Sequence, residues 1–102
     1  MPAYLVVEVR ITDPERAARY GAVSPATVER YGGRYLARGG TTTVLEGGWD
    51  PKRLVLIEFP SIAKAREWYG SPEYREVRKV REGAGEWRIV ALEGVDDAPS
   101  DR

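Results

Sequence analysis

The side chains of this chain that could do chemistry are carboxylates, tyrosines, arginines and lysines, because the sequence has no histidine and no cysteine. Without a thiol there is no disulfide, thiolate nucleophile or iron–sulfur cluster. Without imidazole the commonest general base and metal ligand are gone. A metal site would need carboxylates alone, and no EF-hand spacing is present, so neither a metal nor a cofactor is expected. Acid–base chemistry must run through Glu, Asp, Tyr or Lys, or through reactivity that a ligand brings. No Ser–His–Asp or Cys–His arrangement can be assembled. The glycine pairs form neither a GxGxxG nor a P-loop pattern.

The densest cluster of candidates is YGGRYLARGG, Tyr31 to Gly40. A glycine pair stops a helix, a short strand follows, and Arg38 stands at the strand's exit before a second glycine pair. Arg38 is the candidate contact for an anionic ligand. Glu58, Glu8, Tyr35 and Trp49 are the other candidate ligand-binding residues. If the protein is an enzyme, Glu58 is the candidate base and Tyr69 the assisting donor. Trp49, in the glycine-flanked loop EGGWDPK, reads as a lid or as a ring folded back on a helix or a partner. Trp68, Tyr69 and Tyr74 have the spacing of a buried stripe.

Bulk composition narrows the class. The 102 residues fit one domain with a modest core. Sixteen basic and sixteen acidic residues cancel, so no field favours nucleic acid or an anionic membrane. Basic residues Arg75, Arg78, Lys79 and Arg81 alternate with Glu73, Glu76 and Glu82 in the pattern of a solvated helix face. No apolar run approaches the ~20 residues of a membrane span. The opening MPAYLVVEV reads as a strand rather than a secretory signal, and the expected location is the cytoplasm.

The elements that position these residues follow from periodicity. Tyr4 to Ile11 alternates as a strand, with Leu5, Val7, Val9 and Ile11 on an apolar face. Asp13-Pro14-Glu15 starts a helix. Ala17, Tyr20, Ser24, Val28 and Tyr31 form its stripe, and Ser24-Pro25 predicts a kink or a restart. Arg34 to Arg38 is a second strand, resuming over Thr41 to Leu45. Arg53 to Phe59 is a third. Ser61 caps a helix that Gly70 stops, and Ser71-Pro72-Glu73 begins another running to about Glu82. Glu86 to Glu93 is the last strand, and Val95 to Arg102 reads as a disordered tail after a single domain of residues 1–95.

Strand–helix–strand–strand–helix–strand with right-handed crossovers predicts an α+β, ferredoxin-like, four-stranded antiparallel sheet with helices on one face. The first and third strands lie at its centre. The uncovered face would present Tyr4, Val6, Leu54 and Leu56, with Leu36, Val90 and Leu92 depending on register. That is too apolar for water, so a homodimer packed sheet to sheet is expected. Glu8 and Glu58 fall on this same face, with Arg10 and Arg38 placed nearby. Either the charges are ion pairs fixing the dimer register, or they floor a cleft in which a buried glutamate stays basic and an arginine holds an anion.

GGRYLARGG, RLVLIEFPS, AREWYGSPEYREVR and the closing LEGV resemble the domain-of-unknown-function family 1330 from Tyr4 to Val95. That family lies in the dimeric α/β-barrel superfamily, beside antibiotic-biosynthesis monooxygenases, muconolactone-isomerase-like and chlorite-dismutase-like proteins. The resemblance implies the sheet-to-sheet dimer and no established reaction. A haem held by histidine is excluded because the chain has none. The expected function is a small homodimer taking a small organic, anionic ligand in a cleft between sheet and helices. The alternatives are a non-catalytic dimerisation module and a cofactor-free monooxygenase- or isomerase-like enzyme.

Overall fold

The computed structural model describes residues 1–95; the predicted tail from 96 onward lies outside them. Four strands form one antiparallel sheet in the order β2-β3-β1-β4, with β1 Ala3–Ile11, β2 Arg34–Arg38, β3 Leu54–Phe59 and β4 Gly85–Glu93. Helices α1 Pro14–Arg30, α2 Ile62–Tyr69 and α3 Pro72–Val80 pack on one face. This is the predicted α+β, ferredoxin-like arrangement, with β1 and β3 central.

Each helix starts where its sequence supplies an oxygen for the unpaired first-turn amides. Asp13 accepts from the Arg16 amide at 3.2 Å, and Ser61 accepts from the Lys64 amide at 3.1 Å. Ser71 accepts from the Tyr74 amide at 3.1 Å and donates to the Trp68 carbonyl at 2.7 Å, so one hydroxyl ends α2 and begins α3. Of the two outcomes expected at Ser24-Pro25, a kink or a restart, the restart does not occur. The helix runs unbroken through Pro25. The strand expected over Thr41 to Leu45 is also absent; the chain from Gly40 to Arg53 is loop.

The core lies between the helices and the odd positions of β1. Leu5, Val7 and Val9 are buried there with Val55, Ile57 and Phe59 of β3. Trp68 and Tyr74 are roofed completely, and Trp68 stacks at 4.1 Å from the Tyr74 ring and 5.4 Å from Phe59. The Trp68 indole N–H donates to Thr27 Oγ1 at 3.0 Å, and Thr27 donates on to the Ser24 carbonyl at 2.8 Å. A buried indole therefore keeps its polar atom satisfied by α1. Among the described residues no helix is long and apolar enough to cross a membrane.

Gly33 is where α1 hands the chain to β2. A Cβ there would stand 2.7 Å from Phe59 Cε1 and 2.8 Å from Val28 Cγ1, two atoms fixed in the core. Gly33→Ala is expected to cost about 1–3 kcal/mol through overpacking. An unchanged urea midpoint in this variant would contradict the packing described.

Candidate functional site

Pro25 has no amide hydrogen, so α1 cannot close its bond to the Gly21 carbonyl four residues back. That carbonyl is taken instead by Arg38, whose Nη2 donates to it at 2.6 Å. A helix defect thus fixes the side chain that leaves β2. The guanidinium also lies over the Tyr35 ring, 4.7 Å from its centroid.

Arg38 reaches the helix side only because β2 is irregular. Tyr35 pairs with Ile57, Ala37 with Leu56 and Arg38 with Val55, so one residue, Leu36, is extra. Strict alternation would place Tyr35 and Arg38 on opposite faces. The bulge puts both on the helix side. The expectation that Arg38 sits beside Glu8 and Glu58 on the uncovered face is therefore corrected.

Beneath α1, these residues border a cleft of about 70 Å³. Tyr20, Tyr35, Tyr74 and Ser24 bring hydroxyls to its walls, Trp87 and Ile57 bring apolar surface, and Arg38 and Arg53 bring positive charge. The Tyr20 and Tyr74 hydroxyls are 2.6 Å apart, and those of Ser24 and Tyr35 are 3.4 Å apart. Burial raises the pKa of both Tyr20 and Tyr74, and their mutual contact raises Tyr20 further. Both stay protonated and serve as hydrogen-bond donors or acceptors, not as anions. Arg53 packs over the turn at Gly39, whose φ of +74° and lack of Cβ leave room for the guanidinium.

The remaining predicted residues lie elsewhere. Glu58 is held by Arg34 at 2.6 Å on the open sheet face. Glu8, on the same face, pairs with Arg88 at 3.1 Å and accepts from the Trp49 indole at 3.3 Å. Arg10 pairs with Glu86 at 3.9 Å, toward the strand end. Trp49 remains 58% exposed. Tyr69 is 43% exposed on α2, under the Arg78 guanidinium at 4.6 Å, so the inward position expected for it is not taken up. The alternation of β1 and β3 sends even-numbered side chains away from the helices, so Glu8 and Glu58 cannot enter the cleft. Among the described residues no carboxylate lines it. Of the candidates named from sequence, only Arg38 and Tyr35 meet there. Tyr20, Tyr74, Ser24 and Arg53 complete the site. The helical spacing already pointed Tyr20 and Ser24 inward, but it carried no sign that two tyrosine hydroxyls would meet.

The family described as a domain of unknown function (DUF1330) matches residues 2–95, and the chain belongs to that family. A protein of unknown function from Rhodopseudomonas palustris is 28% identical, with a TM-score of 0.75 over 93% of this chain and 83% of that one. A dimeric ferredoxin-like protein of unknown function from Jannaschia sp. CCS1 is 12% identical, with a TM-score of 0.67 over 92% of this chain and 100% of its own. A candidate antibiotic biosynthesis monooxygenase from Nitrosomonas europaea is 14% identical, with a TM-score of 0.59 over 96% of this chain and 94% of its own. The last two likenesses are of fold alone. No curated protein matches the chain.

Two outcomes follow from the cleft. Pro25→Ala restores the missing helical amide, so the loss of stability caused by Arg38→Ala should be smaller in that background. A double-mutant cycle should show coupling of about 0.5–3 kcal/mol, and additive effects would refute the link. The raised tyrosine pKa values favour folding below the unfolded-state value of about 10, and that contribution is lost as pH climbs beyond it. The fall in Tm between about pH 9 and 11 should be shallower in Tyr20→Phe than in the parent; an identical fall would remove the tyrosine pair as its cause.

Proposed function

We propose that this DUF1330 family member is a self-associating protein that binds a small organic acid in the cleft beneath α1. The observation that carries the ligand reading is the convergence of Arg38 with the hydroxyl groups of Tyr20, Tyr35 and Tyr74 on one space that no carboxylate of the described residues borders. One Arg38 nitrogen is engaged with the Gly21 carbonyl, which leaves other guanidinium N–H groups for a ligand oxygen. A space of about 70 Å³ suits a hydroxy or oxo acid of few heavy atoms rather than a large ring system. Binding is favoured over catalysis because the described residues give the cleft donors and two cations but no carboxylate base. An isomerase-like reaction would need a proton acceptor, and Glu58 lies on the opposite face, paired with Arg34. The Nitrosomonas likeness supports the cofactor-free oxygenase alternative at the level of fold only.

The open face supports the second part of the proposal. Leu56, Val6 and Val90 form one apolar row across β3, β1 and β4. Glu58 lies two residues from Leu56 along β3, and Arg88 two residues from Val90 along β4. Val90 is 64% exposed and Leu92 59%. A second copy covering this row would remove it from water, with the Glu8–Arg88 and Glu58–Arg34 pairs toward the rim. The Jannaschia neighbour is described as dimeric, which supports self-association.

Small hydroxy and oxo acids should raise the parent's Tm, and Arg38→Gln should weaken binding by about tenfold. If no acid shifts Tm, or the shift survives Arg38→Gln, the cleft is not the site. Sedimentation should give twice the chain mass for the parent and the single-chain mass for Val90→Arg. A parent already monomeric at micromolar concentration overturns the self-association reading.

A further inference from the structure

A second space lies on the helix side of the edge strand β4. It is an open groove of about 270 Å³ between β4 and α2. Trp68, Trp87 and Ile89 are shared with the wall of the α1 cleft, but the cations are not. Arg38 and Arg53 belong to the cleft, whereas Arg66 and Arg81 belong to the groove.

Arg81 is the unusual member. Its guanidinium lies 4.7 Å from the Trp87 ring centroid and 5.3 Å from that of Tyr20. Its Nη1 is buried and has no hydrogen-bond partner among the described residues. A guanidinium cannot shed its proton, so the charge is held in this aromatic slot without an acceptor. Ring faces offset part of that cost, and an unmatched buried donor still carries its own penalty. The two lysines of α2 and α3 are matched, Lys64 with Glu67 and Lys79 with Glu76, each at 3.1 Å. Among the described residues neither Arg66 nor Arg81 has an ion-pair partner, and no acidic residue lines the groove. The rest of the lining includes Leu5, Ala65, Ile89 and Ala91.

We propose that this groove binds an apolar carboxylate, an aryl-alkanoate or a medium-chain acid, with its carboxylate on Arg81 and Arg66 and its hydrocarbon body along β4. The groove demands an anion because its cations lack carboxylates. It demands an apolar body because its floor is aliphatic and aromatic. Its volume is several times that of the α1 cleft, so the two sites select by size.

Calorimetry with phenylbutyrate and its uncharged counterpart phenylbutanol tests the assignment. Phenylbutyrate binds, and phenylbutanol binds at least about tenfold more weakly. Arg66→Gln, an exposed change that spares the core, weakens phenylbutyrate by about tenfold, as does Arg81→Gln where Tm shows that it folds. Arg38→Gln leaves the affinity unchanged. Amide shifts in a nitrogen-15 spectrum cluster at Arg66, Tyr69, Ile89 and Ala91. No binding at millimolar probe overturns the proposal, as does equal affinity for the alcohol or an unaffected Arg66→Gln. Shifts clustering at Gly21, Tyr35 and Arg38 also overturn it, and would assign the acid to the α1 cleft instead.

Discussion

Much of the functional geometry hangs on one hydrogen bond, from Arg38 Nη2 to the carbonyl of Gly21. Pro25 removes an amide from the middle of α1, and a helix interior tolerates that poorly, at about 3 kcal/mol. The carbonyl left over is not abandoned to an apolar interior. It is met by a cation from β2, the edge strand beneath. The contact ties the longest helix to the weakest-held strand and sets the guanidinium over Tyr35. A sequence irregularity in α1 and a bulge in β2 are thus two halves of one device. Neither would place Arg38 without the other.

The sheet divides the charged residues into two populations with different work. On the open face, Glu8 and Glu58 find arginines on adjacent strands, Arg88 and Arg34. These are partly exposed pairs in high dielectric, worth little in stability but able to fix register. On the helix side, Arg38, Arg53 and Arg81 have no ion-pair partner among the described residues and lean on aromatic rings, a carbonyl or a glycine turn. Positive charge left unpaired next to protonated tyrosines is a setting for binding an anion. It is a poor one for abstracting a proton.

The sequence made the scaffold readable. The caps at Asp13, Ser61 and Ser71, the alternation of β1 and β3 and the stop at Gly70 each rest on neighbours within four residues, so the chain declares them locally. Arg38 and Tyr35, named for their place beside the glycine pairs, both line the cleft. Glu58, Glu8, Trp49 and Tyr69, grouped with them from sequence, lie outside it. The parity of the strands already sent both glutamates to the uncovered face, which conflicted with a cleft under the helices. Pro25 was visible as a disturbance, but the spacing that ties it to Gly21 became meaningful only with a donor from another element.

What the sequence alone determined is the α+β order of elements, the two-faced sheet with an apolar row on its open side, and the lack of thiol and imidazole chemistry. These depend on composition and on short-range periodicity. What only the tertiary structure decided is which side Arg38 faces, which hydroxyls meet, and which cations are left without carboxylates. Those depend on one unpaired residue in β2 and on contacts between residues 11 to 54 positions apart. A single-residue slip reverses every side chain after it, and no local pattern in the strand's own sequence records that slip.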